Sequence, residues 1–374
     1  GFAGGSELCT MRNMAAEKEI LDALRTCIEP ELGRDIVSLD MVRNVKICGD
    51  KVAFDYILTT PACPLKGRME EEAKAAIFKV PGVKTVTINM SSSVSRDLRL
   101  EQALPSGIRN IVAVGSGKGG VGKSSVAANL AASLAMEGSS VGLMDADVYG
   151  PNQPQMFGVG SFELTADDEN KITPPLAHGV KVMSMGFLMD PDTPVIWRGP
   201  MLHGAVTQFL KDVRWGELDY LIVDLPPGTG DVQLSLCQTV PLTGAVIVTT
   251  PQTIALSDVR KAVSMFKKLN VPVLGVVENM SEFICPHCRR SSRIFSEGGG
   301  RTLSEKFLVP HLGSIPLDPV VCESGETGKP VVLSHPESAP AAALRHLARQ
   351  VAAQVSLQNF NRKRLEIDLV SKAA

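Results

Sequence analysis

Two hydrophobic periods divide the chain. Residues 15–28 place Ile20, Leu21, Leu24 and Ile28 at helical spacing, and Glu29-Pro30 ends that helix. Residues 42–47 and 52–58 alternate apolar and polar positions, which predicts a hairpin turning through Cys48-Gly49-Asp50-Lys51. A polar-faced helix over 65–80, a turn at Pro81-Gly82 and a strand over 83–90 complete an α-β-β-α-β order, that of a small α+β domain. From Arg109 onward the pattern changes. Continuous apolar runs at 111–114, 140–144, 181–185, 220–223, 245–249, 273–277 and 312–315 alternate with helical stretches at 125–136, 201–210, 255–269 and 341–355. Such runs predict strands buried on both faces, hence an α/β fold with a doubly wound, mostly parallel sheet.

The predicted organisation is a disordered leader (1–13), a small α+β domain (14–91), a serine- and charge-rich linker (92–107), the α/β domain (108–358) and a tail (359–374). Residues 162–179 are polar and poorly periodic, and read as a surface insertion. The Met201, Leu202, Val206, Phe209 and Leu210 stripe has the spacing of a helix core face. The basic run Asn361-Arg362-Lys363-Arg364 reads as a solvated surface.

The first buried run leads straight into Gly117-Lys118-Gly119-Gly120-Val121-Gly122-Lys123-Ser124, the G-x-x-x-x-G-K-S/T phosphate loop. Its glycines let backbone N–H groups turn toward phosphate oxygens, and the following helix offers its positive end to the same charge. Lys123 is expected to reach the β- and γ-phosphates of ATP, Ser124 to hold Mg²⁺, and the backbone through Ser125 to line the nucleotide. Tyr220-Leu221-Ile222-Val223-Asp224 has the Walker B pattern, with Asp224 holding Mg²⁺ through water. Leu225-Pro226-Pro227-Gly228-Thr229-Gly230-Asp231 follows as a loop of fixed, unusual path. The strand over 140–144 ends in Asp145-Ala146-Asp147, where ligands bind in open α/β sheets. Asp145 is expected to help orient the Mg²⁺ shell, capping of the next helix being the alternative for both acids. Trp197-Arg198-Gly199-Pro200 is expected to flank the nucleotide or a dimer surface.

Cysteines add a second chemistry. Cys285-Pro286-His287-Cys288 offers two thiolates, whereas a structural zinc or a cubane cluster takes four protein ligands. No second C-x-x-C exists, and His287 sits between the cysteines, badly placed for the same metal. Three outcomes stay open: a four-thiolate site shared by two copies across a two-fold axis, a redox disulfide, or an inert loop. Cys63 precedes Pro64 where a helix begins, a setting expected to lower its thiol pKa and favour a nucleophile or metal ligand, a buried loop residue being the alternative.

Composition narrows the classes. Over 374 residues the net charge is −2, so no global field favours nucleic acid or an anionic membrane. No apolar run approaches the roughly 18 residues of a membrane span. Eight scattered cysteines beside a phosphate loop suit a reducing compartment, the cytoplasm or an organelle matrix or stroma, over a disulfide framework.

The stretch G-K-G-G-V-G-K-S resembles the deviant Walker A of the ParA/MinD/Mrp ATPases. This resemblance implies an ATP-dependent homodimer in which Lys118 reaches the partner's nucleotide. Asp147-Val148-Tyr149-Gly150-Pro151-Asn152 and D-L-P-P-G-T-G-D at 224–231 resemble switches I and II of the Mrp/ApbC iron–sulfur cluster carriers. That implies Asp147 acting on the attacking water, Asn279 contacting adenine, and Pro316-Leu317-Asp318-Pro319 closing over the base. It further implies that Cys285 and Cys288 of two copies bridge a 4Fe–4S cluster, with zinc as a substitute for tetrahedral sulfur. Thr59-Thr60-Pro61-Ala62-Cys63-Pro64 resembles the MIP18-like (DUF59) domain of iron–sulfur assembly proteins, implying a cluster relay at Cys63. The implied function is a carrier with slow ATP hydrolysis that takes clusters from an upstream scaffold and passes them to apoproteins, without nucleic-acid or membrane partners. Two other classes remain: a MinD/ParA-like positioning ATPase, which Glu366 and Asp368 in the tail disfavour at an anionic surface, and a reductase like the nitrogenase iron protein, which uses separated single cysteines.

Overall fold

The computed structural model describes residues 10–103, 107–188, 199–285, 287–288, 290–295 and 298–373. The chain divides into two compact units, Gly1–Ser95 and Arg96–Ala374.

In the first unit, α1 (Thr10–Leu24) starts ahead of residue 15 and takes in residues 10–13, which the sequence pattern leaves to a leader. The hairpin β1 (Val42–Cys48) and β2 (Lys51–Leu58) is antiparallel, and β3 (Thr85–Ser92) returns parallel to β2 after α2 (Lys66–Ile77). Alternation along β2 buries Val52, Phe54, Tyr56 and Leu58 on one face. They pack with Ile20, Leu24, Met69, Ala73 and Ile77 from the two helices. One face of this small sheet is thereby closed by helices.

The second unit is built on continuous apolar strands. β4 (Ile111–Ser116), β5 (Val141–Asp145), β6 (Val180–Ser184), β7 (Tyr220–Asp224), β8 (Gly244–Thr249), β9 (Val273–Ile284) and β10 (His311–Leu317) lie in the order β6-β5-β7-β4-β8-β9-β10, all parallel. β4, β5, β7 and β8 are buried at every position, as a sheet covered on both faces requires. Gly142 in β5 lies where a Cβ would come within 2.9 Å of the Trp215 ring. The bare backbone thus lets Trp215, 1% exposed and donating to the Phe209 carbonyl at 2.9 Å, pack flush.

The covering helices include α3 (Lys123–Met136), α4 (Gly199–Asp212), α5 (Asp231–Thr239), α6 (Thr253–Lys268), α7 (Gly299–Phe307) and α8 (Ala339–Ala373). α3 opens from Gly122 at φ +80° and stops at Gly138 at φ +95°, conformations that glycine adopts without strain. The insertion at 162–179 is not structureless. Thr165–Ala166 pairs with Ile172–Thr173, and Leu176–Ala177 adds an antiparallel edge to β6. Strands of two residues are too short to leave a period in the sequence.

α8 runs well past residue 355 and through the segment read as a tail. Arg362, read as solvated, is instead docked: its Nη1 lies 2.5 Å from Asp97 Oδ2, and Asp97 also receives Arg99 Nη2 at 2.9 Å. Asp97 is fully buried, and Arg99 further donates to the Leu242 carbonyl. Burial alone lifts the Asp97 carboxyl, but the Arg99 hydrogen bonds and the charges of Arg362 and Arg99 outweigh it and hold it below the ordinary range. Arg349 adds an ion pair to Glu137 at the end of α3, and Asn359 donates to Asn110 at 2.8 Å.

Candidate functional site

The chemistry-bearing loops gather at the carboxyl ends of β4, β5 and β7, beside the switch in strand order around β4. The loop leaving β4 is tied by the Ser116 hydroxyl, which donates to the Lys118 carbonyl at 2.9 Å. Gly120 and Gly122 take φ of +76° and +80°, turning successive N–H groups to one side. At Gly117 a Cβ would collide with the Asp258 backbone on α6. Lys118 stays partly exposed.

Lys123 is 6% exposed at the start of α3. Its Nζ lies 2.5 Å from Asp224 Oδ1, 3.2 Å from Ser124 Oγ and 3.5 Å from Asp147 Oδ2. Asp224 and Asp145 stand opposite each other in the β7–β5 register, both fully buried. Asp145 accepts from Asp147 N, Gln153 N and Ser184 Oγ at 3.0–3.1 Å. Its oxygens therefore hold the loop after β5 in place. Burial, then the Asp224 charge beside it, pushes the Asp145 carboxyl well above the usual carboxylate range. Burial also raises Asp147, against the pull of Lys123.

Gln153, absent from the sequence reading, occupies the middle of this site. It is fully buried, and its Nε2 donates to Asp224 Oδ2 at 2.8 Å and to the Ser124 carbonyl at 2.9 Å. No periodicity or motif marks it; a glutamine among Gly150, Pro151 and Pro154 reads as turn. Asp224 and Asp147 against the single Lys123 ammonium leave negative charge that a hard divalent cation with oxygen ligands offsets, and the loop's inward N–H groups suit phosphate. The residues fit a magnesium nucleotide.

Asn279 on β9 donates to the Val121 carbonyl of the loop at 2.9 Å. Pro316 is not in a loop. It belongs to β10, with Ile315 paired to Asn279, and only Asp318 caps the following helix, accepting Val320 N at 3.0 Å. β10 pairs with β9 alone among the described strands, and its register with β9 is irregular between Ile315 and Leu317, so the missing proline N–H falls where an edge strand tolerates it. Trp197 and Arg198 lie outside the described residues.

Cys285 follows β9 directly, and Ser291–Ser292 pairs back on Phe283 and Ile284, so the C-x-x-C segment tips a short hairpin. Cys285 N donates to the Arg290 carbonyl at 3.0 Å. Hydrogen bonds from the Cys288 and His287 backbone lower the Cys285 thiol pKa. Cys288 is exposed. Among the described residues no group of three or more His, Cys, Asp or Glu side chains is placed to hold a metal. Behind the hairpin, Glu278 accepts Gly300 N at 2.6 Å in the first turn of α7.

In the small unit, Cys63 contradicts the expected low pKa. Burial, and then the charges of Glu31 and Glu29, raise it over the hydrogen bonds from the Leu65 and Lys66 backbone. The helix starts only at Lys66, and the thiol packs 3.9 Å from Met69 Sδ.

A doubly wound parallel sheet carrying this loop, its buried lysine and the acids on adjoining strand ends defines a P-loop NTPase. Residues 107–352 match the ParA family described as NUBPL iron-transfer P-loop NTPase, and the chain belongs to that family. Residues 17–89 match the family described as iron–sulfur cluster assembly protein, the MIP18-like class. An iron–sulfur cluster carrier protein of Deinococcus radiodurans is 54% identical over 342 residues, covering 91% of this chain and 96% of that protein. A nucleotide-binding protein from Archaeoglobus fulgidus, solved in complex with ADP, is 39% identical with a TM-score of 0.56, covering 65% of this chain and 94% of that one. The cell-division ATPase MinD of Pyrococcus furiosus is 26% identical with a TM-score of 0.51, covering 65% of this chain and 98% of its own.

Proposed function

We propose that this protein is an ATP-dependent iron–sulfur cluster carrier. Two copies hold one 4Fe–4S cluster between their Cys285 and Cys288 thiolates and transfer it to apoproteins, with slow ATP hydrolysis coupled to the exchange. The observation that carries this is a half-site: two thiols at a hairpin tip, with no third ligand beside them among the described residues. A tetrahedral iron or zinc site takes four, and a second copy related by a two-fold supplies the missing pair. The lowered Cys285 pKa favours the ligating thiolate over an inert loop. The name of the Deinococcus relative points the same way.

In this reading Gly117 to Ser125 cradle the phosphates of ATP, Lys123 exchanges Asp224 for phosphate, and Ser124 and Asp224 hold Mg²⁺, which neutralises phosphate charge when bound. Asp147 orients the attacking water, Lys118 reaches across to the partner's nucleotide, and Asn279, with Pro316 beside it, faces the base. Cys63 takes clusters from an upstream scaffold or passes them on. Free thiols at all seven described cysteines suit a reducing cytoplasm.

The test is anaerobic reconstitution with iron and sulfide, read by visible absorbance and by size. The loaded protein elutes as a dimer with about four irons per pair of chains. A Cys285→Ser/Cys288→Ser variant that still takes up a full complement overturns the assignment. The MinD-like alternative calls for a surface-binding C-terminal helix. Here α8 is held inside its unit by Arg349, Asn359 and Arg362, and no described helix is long and apolar enough to cross a membrane. Co-sedimentation with anionic vesicles or DNA would favour that alternative.

A further inference from the structure

Gln153 has a donor set and an acceptor with unequal fates. Both hydrogens of its amide are engaged, one by the Asp224 carboxylate and one by the Ser124 carbonyl. Both partners are pure acceptors, so the amide cannot be turned the other way round. Its Oε1 is buried and has no partner. A carbonyl oxygen held in that condition costs about 1–3 kcal/mol in general, and calls for a donor. The backbone beside it is fixed as well, since Gln153 N donates to Asp145 at 3.1 Å. The unpartnered oxygen thus belongs to an amide whose nitrogen bridges the two residues, Ser124 and Asp224, that the motif assigns to magnesium.

We propose that Gln153 is a positioning residue of the magnesium–nucleotide site. Its amide nitrogen locks the Asp224 carboxylate to the first turn of α3, and its carbonyl oxygen accepts a hydrogen bond from water bound to the cation. Lys123 can then leave Asp224 for phosphate without the carboxylate turning, because Gln153 retains the other oxygen. The inference rests on the reading that this site binds a magnesium nucleotide.

The experiment is equilibrium binding of a fluorescent ADP analogue to the full chain, titrated with MgCl₂. Gln153→Met keeps the shape and removes both hydrogen-bonding functions. It raises the Mg²⁺ concentration at half-maximal tightening about tenfold, the equivalent of one hydrogen bond to a charged group. Affinity without Mg²⁺ falls by a clearly smaller factor, because the side chain meets the phosphate cradle only at the Ser124 carbonyl and not at the N–H groups that face phosphate. An unchanged Mg²⁺ midpoint overturns the proposal. So does a parallel loss of affinity with and without Mg²⁺, the signature of a merely structural side chain. If Gln153→Met fails to fold, Gln153→Asn decides, since it keeps a polar amide but is one methylene too short to hold Asp224 and Ser124 together and reach the bound water. Its midpoint rises as well, and an unchanged midpoint overturns the proposal. A wild-type protein that binds no nucleotide at all overturns the reading of the site together with this one, whereas a Gln153→Met protein that matches a binding-competent wild type overturns this one alone.

Discussion

Replacing Arg362 by Leu tests whether the end of the chain is part of the fold. Asp97 is fully buried between Arg99 and Arg362, whose side chains are 42% and 20% exposed. Removing one partner of a buried ion pair costs about 3–5 kcal/mol when nothing else compensates. Arg99 stays at 2.9 Å, and Arg362 itself reaches solvent, so the expected loss is about 2–3 kcal/mol. For a unit of this size that is roughly 3–5 °C in midpoint. Both tryptophans, Trp197 and Trp215, belong to the second unit, so thermal unfolding followed by tryptophan emission reports on that unit without interference from the first. The pH dependence has a definite sign. Asp97 is held below its unfolded pKa of about 3.9, so its contribution is present above that value and lost as pH falls through the folded pKa. The gap between wild type and Arg362→Leu is therefore widest at pH 7 and narrows only as pH falls below about 3.9. A shift below about 2 °C at neutral pH, or one that keeps its size in acid, would refute the reasoning.

Two further outcomes follow from the geometry. Gly117→Ala drives a methyl group into the Asp258 backbone, so the phosphate loop must shift; ADP affinity should fall about tenfold or more while helical circular dichroism is unchanged, and an unaltered affinity would contradict the close approach. Alkylation with iodoacetamide at pH 7.5, followed by mass spectrometry, should label Cys285 well ahead of Cys63 and Cys237. Burial raises both of the latter, Cys237 to about 12, and denaturant should abolish the order; early labelling of Cys237 in folded protein would count against its burial.

Much of this architecture is written locally. Apolar runs such as 111–114 and 220–223 read as strands covered on both faces, and the glycine loop with its lysine carries its chemistry in eight consecutive residues. What stayed hidden depends on residues far apart in sequence. Gln153 matters because it meets Ser124 and Asp224, and Arg362 because it meets Asp97; neither encounter leaves a period or a spacing to read. Pro316 misled for a different reason. A proline between Ile315 and Leu317 suggests a loop, yet at the sheet's edge it fits a strand. Cys63 misled because helix proximity is legible in sequence, whereas burial beside Glu29 and Glu31 is not.

β9 has one more consequence. It is a single strand of 12 residues with Asn279 against the phosphate loop in its middle and Cys285 just past its end. Those two residues are at most about 20 Å apart along one extended backbone, at ~3.3 Å per residue. Met280 breaks the regularity between them with φ +56°, and the pairing with β10 slips there. The phosphate-loop contact and the cysteine hairpin thus hang from the two ends of one short piece of backbone, with Met280 as the single bend between them.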